Sequence, residues 1–110
     1  MAYDERLAER TRELLAGERG ISERRMFGGL AFLLDGNMAV AVSSQGGLLV
    51  RVGPDAFDDA LARKGASPME MRGRPMTGWV RVVPEVLTRK PQLESWVGRG
   101  LGFARTLPPK

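Results

Sequence analysis

The chain contains neither cysteine nor histidine, and only 6% of its residues are aromatic. Without cysteine it can form no disulfide and no thiolate metal site, which is typical of proteins from a reducing cytoplasm. Histidine is the commonest general base and cysteine the strongest side-chain nucleophile, so the two residue types most used in catalysis are missing. Carboxylates alone suit neither zinc nor iron. We therefore expect a cytoplasmic protein with no catalytic residues, no cofactor and no bound metal.

Long apolar segments are missing as well. No stretch of the sequence approaches the roughly 20 apolar residues that cross a bilayer. Residues 1–12 are charged and lack the apolar region of a signal peptide. With 110 residues, 43% of them hydrophobic and 27% charged, the chain has the size and composition of one globular domain. We expect a single domain over residues 1–110 that does not bind a membrane.

Charge is distributed unevenly along the sequence. Residues 1–60 hold seven Lys/Arg and ten Asp/Glu, a net charge of −3, whereas residues 61–110 hold ten Lys/Arg and three Asp/Glu, a net charge of +7. A basic half of this kind is one means of binding a polyanion. The arginines are not interleaved with an aromatic ladder, however, as they are in single-strand binders. A solvated basic surface is the simpler interpretation, and nucleic-acid binding stays open as an alternative.

Apolar periodicity divides the chain into helices and strands. Helices are predicted at residues 3–16, 54–64 and 91–105, strands at 21–27, 30–34, 38–42, 47–52 and 76–83, and an irregular or weakly extended segment at 66–75. If that weak segment is counted as a strand, the order is α-β-β-β-β-α-β-β-α. This order indicates a two-layer α+β domain, with helices packed on an antiparallel sheet of about five to six strands.

The clearest local signal is a hairpin formed by residues 30–34 and 38–42 around an Asp-Gly-Asn turn. Strict alternation along the second strand predicts that Met38 points to the same side as Val40 and Val42. One face of this strand would then fill a core while the other stays shallow.

A distinctive segment leads into this hairpin. It consists of Arg24, Arg25, Met26, Phe27, Gly28 and Gly29. The two arginines are expected on opposite faces of a strand, either anchoring the fold or binding an acidic group of a partner. Met26 and Phe27 are expected in the core or at its edge. The glycine pair predicts a bend, because no Lys-Ser/Thr follows it as in a phosphate-binding loop.

A second group of candidates comes from the basic half. It consists of Arg72, Arg74, Trp79 and Arg81. Tryptophan and arginine are enriched at interface hot spots, but a buried tryptophan beside solvated arginines explains the pattern equally well. Methionine fills gaps in cores and also lines adaptable binding surfaces, so Met69 and Met71 are a further candidate contact surface.

Taken together, these residues resemble the TfoX/Sxy N-terminal domain, the front domain of bacterial competence regulators. The resemblance rests on Arg-Met-Phe-Gly-Gly and, more weakly, on Gly36-Asn37-Met38-Ala39, Leu49-Val50-Arg51-Val52, Gly73-Arg74-Pro75-Met76, Trp79, and Trp96-Val97 to Phe103-Ala104. It implies a two-layer α+β fold and a regulatory role, since the full-length regulators promote transcription of DNA-uptake genes with a DNA-bound activator. Those regulators carry a second, helical domain, and we expect this chain to be a standalone version of the front domain.

The residues and the resemblance favour a non-enzymatic regulatory or accessory module that contacts a protein, with a DNA-bound transcription activator as one candidate partner. Two alternatives stay open: direct nucleic-acid binding through the basic half, and small-molecule binding in a pocket between sheet and helices. A homodimer is also conceivable, with an exposed strand such as residues 47–52 or 76–83 pairing with a second copy.

Overall fold

A computed structural model describes residues 3–26 and 28–110 of the chain. Within them the chain forms three α-helices, one 3-10 helix and six strands. In chain order these are α1 (Glu5–Leu14), β1 (Ile21–Met26), β2 (Gly29–Leu34), β3 (Asn37–Val42), β4 (Leu48–Arg51), α2 (Phe57–Leu61), β5 (Ala66–Met71), β6 (Arg74–Val82), the 3-10 helix (Pro84–Leu87) and α3 (Lys90–Ala104). The predicted α+β class and element order are confirmed.

The six strands form one antiparallel sheet in the order β1-β2-β3-β4-β6-β5. Strand β4 lies between β3 and β6, and β6 lies between β4 and β5. Both strands suggested for pairing across a homodimer are therefore interior strands, and their choice was wrong because each already has a neighbour on both sides. The edges of the sheet are β1 and β5.

Residues 66–75 are more regular than their sequence indicates. They contain strand β5 and the start of β6, joined by a two-residue turn in which Arg72 and Gly73 have φ of 56° and 78°. Positive φ at both positions is the requirement of a tight hairpin turn. Of the two alternatives for residues 66–75, irregular or weakly extended, the extended one is therefore confirmed, because an edge strand tolerates a proline at position 68 and the register shifts between Pro68 and Glu70.

The helix predicted at residues 54–64 is shorter in the structure. Only Phe57–Leu61 is α-helical, and Ala56, which precedes it, supplies no side-chain cap. The preceding chain is held by the sheet instead, because the backbone N–H of Gly53 donates to the carbonyl of Gly78 at 3.1 Å. Helix initiation is costly without a cap or a long amphipathic face. The acidic residues and the proline therefore did not suffice to extend the helix over all of residues 54–64.

The three helices pack on one face of the sheet. The main core joins Leu93, Trp96 and Val97 of α3 and Leu7 of α1 to alternate strand residues. The strand contribution to this core includes Leu30, Phe32, Leu34, Val40, Val42, Leu48, Val50, Val80 and Val82. Gly100 lets α3 approach closely, because a Cβ at this position would lie 2.5 Å from the carbonyl oxygen of Ala39. Packing therefore holds a helix that contains three glycines of low helix propensity.

A bulge in β3 overturns the predicted alternation. Phe32 pairs with Val40 and Leu33 pairs with Met38, which leaves Ala39 as an extra residue between them. An extra residue shifts the side-chain pattern by one position. Met38 therefore packs with Leu33 on the opposite face from Val40, and the prediction that it shares the Val40 face was wrong.

The opposite face, called here the open face, has only a small apolar cluster. It consists of Ala31, Leu33 and Ala41, with the partly buried Met26, Met38 and Leu49 packed around them. All of these residues belong to strands, so within residues 3–26 and 28–110 no helix contributes to this cluster. The fold is thus a two-layer structure in which one side of the sheet remains accessible.

Candidate functional site

A groove of about 190 Å³ lies on the open face. We call it the open-face groove, and its lining is Met26, Gly29, Met38, Ala41, Val42, Ser43, Ser44, Gln45, Leu49, Met69, Glu70, Met71 and Arg81. All six strands contribute to it, including both edge strands. In a flat sheet with a strand spacing of about 4.8 Å the edges would lie roughly 24 Å apart. The sheet must therefore curl towards its open face to bring both edges to one groove.

Four methionines dominate the apolar part of the groove. They are Met26 from β1, Met38 from β3, and Met69 and Met71 from β5. Three are half-buried, and Met71 is 40% exposed. Methionine side chains are unbranched and polarizable, so they adapt to differently shaped apolar partners. Met69 and Met71, which the sequence suggested as a contact surface, therefore line a groove.

The polar end of the groove is built by a turn between β3 and β4. The Ser43 hydroxyl accepts a hydrogen bond from the backbone N–H of Gln45 at 3.1 Å, which fixes the turn. Arg81 of β6 donates from Nη1 to the Gln45 side-chain oxygen. Glu70 also lines the groove. Arg81 is therefore held in position by a neutral partner, and its charge stays available to an acidic group.

The distinctive glycine-containing segment forms one wall of this groove. Met26 and Gly29 line it, and Gly28 adopts a φ of 78° in the two-residue connection between β1 and β2. A side chain at Gly29 would overlap the carbonyl oxygen of Val42 on the neighbouring strand. Gly28 thus provides the bend that the sequence predicted, and Gly29 allows the close approach of β2 to β3. Phe27 lies outside the described residues.

The two predicted arginines of β1 separate onto opposite faces. Arg24 pairs in register with Ala31 on the open face, and its side chain is exposed. Arg25 pairs with Leu30 on the helical side, where its guanidinium lies 6.0 Å from the centroid of the Tyr3 ring. Arg24 therefore stands on the face that carries the groove, whereas Arg25 lies over Tyr3, two residues before the start of α1.

Glu23, next to Arg24, also belongs to the helical side, since it pairs in register with Phe32. It accepts two hydrogen bonds from Arg12 of α1, at 2.6 Å from Nε and 2.8 Å from Nη2. This hydrogen bonding lowers the pKa of Glu23 below its ordinary value of 4.5 and raises the pKa of Arg12. The pair fastens α1 to an edge strand and takes no part in the groove.

The second predicted group is only partly brought together. Arg81 lines the groove, and Arg72 and Arg74 are exposed at the tip of the β5–β6 hairpin, beside the groove residue Met71. Trp79 is half-buried and does not line the groove. The Arg51 guanidinium lies 5.5 Å from the centroid of the Trp79 ring, a cation–π contact that covers the indole.

Sequence reasoning did not identify Leu49 and Gln45 as groove residues. Leu49 looks like one more strand residue, and Gln45 like an ordinary turn residue, because nothing local indicates which strands become neighbours. The only available signal was the abundance of methionine, and that signal does not assign Met38 to a face. The groove depends on the pairing of distant segments, and on the curl of the sheet.

Within the described residues no helix is both long and apolar enough to cross a membrane. Searches of curated proteins and of solved structures found no match to this chain. The sequence profile of the TfoX N-terminal domain, in contrast, matches residues 13–104 of the 110 in the chain. The matched region runs from the end of α1 through the last residue of α3 and contains every strand that lines the groove. The chain belongs to the TfoX N-terminal domain family.

Proposed function

We propose that this chain is a non-enzymatic regulatory or accessory module that binds a protein partner in the open-face groove. The observation that carries the proposal is a curled sheet whose second face presents four methionines and, in the described part of the chain, has no helix over its apolar cluster. Apolar surface of this kind, rimmed by charge, is typical of protein interaction sites. Membership of a family of competence-regulator domains is consistent with a regulatory role.

The charges around the groove indicate the chemistry of the partner. Arg24, Arg72, Arg74 and Arg81 stand on the open face or at its rim, and Glu70 is the carboxylate among the described residues that line the groove. A partner segment with an apolar anchor for the methionines and acidic residues beside it would complement both features. Arginine suits this role because its planar fork binds carboxylates bidentately.

The groove is suited to binding and poorly suited to bond-making. Its ionisable lining groups are Arg81 and Glu70, and the chain has no histidine or cysteine to serve as base or nucleophile. The full-length regulators that this domain resembles act together with a DNA-bound activator. An acidic, apolar segment of such an activator is therefore our first candidate for the partner.

The proposal is tested by capturing partners from a cell lysate on the immobilised chain and then measuring the affinity of each purified partner. Two groove variants, Met71→Glu and Arg81→Glu, replace an exposed anchor and the positioned cation. Each is expected to weaken binding by at least about tenfold, since hot-spot residues contribute about 2 kcal/mol or more.

Matched controls separate the groove from general surface effects. Val83 is 42% exposed, against 40% for Met71, and lies outside the groove, so Val83→Glu introduces the same charge at an equally exposed apolar site. Arg19→Glu matches Arg81→Glu in charge at an exposed loop position. Partners that bind both groove variants as tightly as both controls would show that the open-face groove is not the binding site.

A further inference from the structure

A second pocket, of about 390 Å³, opens on the helical side of the molecule. It lies between the turn after α2, the 3-10 helix and the first turns of α3, and it shares no lining residue with the open-face groove. Four cationic side chains line it, Arg63, Lys64, Arg89 and Arg99, against one carboxylate, Glu85. We call it the basic pocket. The inference drawn from it is independent of the protein-binding function proposed above.

We propose that the basic pocket binds a phosphorylated small molecule that carries at least two phosphate charges. The lining side chains carry a net charge of +3. In the described part of the chain, the ion pairs within 4.0 Å involve neither Arg63, Lys64 nor Arg89. Like charges gathered in a concave site raise the local positive potential, and an anion with several charges relieves it.

Arg99 is the positioned member of the group. Its guanidinium lies 5.4 Å from the centroid of the Trp96 ring, and Nη1 lies 3.4 Å from Oδ2 of Asp59. Its side chain is only 22% exposed, whereas that of Asp59 is 71% exposed. The guanidinium is therefore oriented by packing on an aromatic face at the wall of the pocket, and the solvated carboxylate neutralises it weakly.

Neutral donors complete the lining. Thr88, Gln92 and Ser95 present hydroxyl and amide groups beside the cations, and such groups commonly accompany arginine in contacts to phosphate oxygens. The first turn of α3 also enters this wall, and the residue before it, Arg89, supplies no side-chain cap. The positive end of the helix adds to the field of the side chains, but the converging cations carry the assignment.

Size and shape decide between a small ligand and a nucleic acid. A volume of about 390 Å³ falls within the range of small-molecule sites, roughly 300 to 1,000 Å³. Nucleic-acid binders present a basic stripe that follows several phosphates along the backbone. Here three unpaired cations, Arg63 and Lys64 from one segment and Arg89 from another, converge with Arg99 on one concavity, which fits the clustered charges of a diphosphate or triphosphate.

The proposal is tested by isothermal titration calorimetry of the full chain at low salt with inorganic phosphate, pyrophosphate, ADP and ATP, and in parallel with a short DNA duplex. We expect one molecule of pyrophosphate, ADP or ATP to bind per chain, more tightly than inorganic phosphate. The double variant Arg63→Glu/Arg89→Glu should weaken this binding about a hundredfold, since each charged hydrogen bond contributes about 1.5 kcal/mol or more.

The control is a second double variant, Arg6→Glu/Arg19→Glu, which makes the same change in net charge at exposed positions outside the pocket. It should retain most of the affinity. Thermal melts check that both variants fold, and Arg63→Gln/Arg89→Gln replaces the first if charge reversal unfolds it. Three results would overturn the proposal: no binding by any phosphate compound, equal weakening in both double variants, or binding of the duplex alone.

Discussion

The two faces of the sheet are built from the same strands and have opposite properties. Towards the helices, Phe32, Val40 and Val80 are completely buried and belong to one continuous core. Towards the open side, the cluster consists of small residues and of methionines that stay partly exposed. Period-two alternation thus lets one sheet carry a stabilising face and a binding face. Along each strand, residues that stabilise the fold therefore alternate with residues that face the binding surface. Substitutions at adjacent positions can then distinguish effects on stability from effects on binding.

The largest expected contrast lies between two adjacent leucines of β4. Leu48 is 1% exposed and faces the helices, whereas Leu49 is half-buried and lines the open-face groove. Leu48→Ala should lower the free energy of unfolding by about 3 to 4 kcal/mol because it leaves a cavity. Leu49→Ala should lower it by about 1 kcal/mol, because less surface is lost from the interior. Urea unfolding of both variants measures the difference, and equal losses would show that the faces contribute alike.

A smaller contrast separates two glycines of α3. A Cβ at Gly100 would lie 2.5 Å from the carbonyl oxygen of Ala39, whereas a Cβ at Gly98 has nothing within 4 Å. We expect Gly98→Ala to stabilise the protein by up to about 1 kcal/mol through helix propensity. Gly100→Ala should instead destabilise it by about 1 kcal/mol, because overpacking outweighs the same gain. Thermal or urea unfolding provides the measurement, and stabilisation by both substitutions would contradict the close contact between α3 and β3.

The smallest expected effect concerns Glu23 and Arg24, neighbours on opposite faces of β1. The hydrogen bonds from Arg12 lower the pKa of Glu23 below 4.5. A carboxylate with a lowered pKa stabilises the folded state fully above its unfolded pKa, and this contribution disappears as the pH falls through the folded value. Wild-type stability should therefore decrease below about pH 4.5, in part because of this group.

Two variants isolate this contribution. Glu23→Gln should have a lower free energy of unfolding than wild type at neutral pH, and that free energy should change less as the pH falls below about 4.5. Arg24→Gln should follow the wild-type profile. The free energy of unfolding is measured against pH for all three proteins. Parallel curves for wild type and Glu23→Gln would mean that the pair with Arg12 does not contribute to folding.

Much of the fold followed from local sequence patterns. The hairpin of β2 and β3 was recognised from its turn residues and its apolar runs, and the buried stripe of α3 from its helical spacing. Where the local signal misled, a tertiary contact decided the structure. The hydrogen bonds from Val52 and Gly53 to the carbonyl of Gly78 hold the chain where the first turn of the helix predicted at 54–64 was expected. Pairing with β6 orders an edge segment that contains Pro68.

The candidate site was less predictable than the fold. The arginines of β1 and the methionines of β5 were singled out, but their relation was not, because they lie on opposite edges of the sheet. Only the curl brings Met26 and Met71 to one groove. The basic pocket presents the same difficulty, since Arg63 and Arg89 belong to segments far apart in sequence. A single sequence shows which residue types are present. Which of these residues come together in one site depends on how distant segments of the chain pair and pack.

The extra residue in β3 has a consequence for how this domain can diversify. Ala39 decouples the orientation of Met38 from that of Val40 and Val42 within one short segment. By period-two alternation, the same residues without the bulge would turn Met38 towards the helices, whereas loss of Ala39 would leave Met38 on the open face of a regular strand. The bulge thus lets one short segment supply a methionine to the open-face groove and, one residue later, a small side chain to the main core beneath α3.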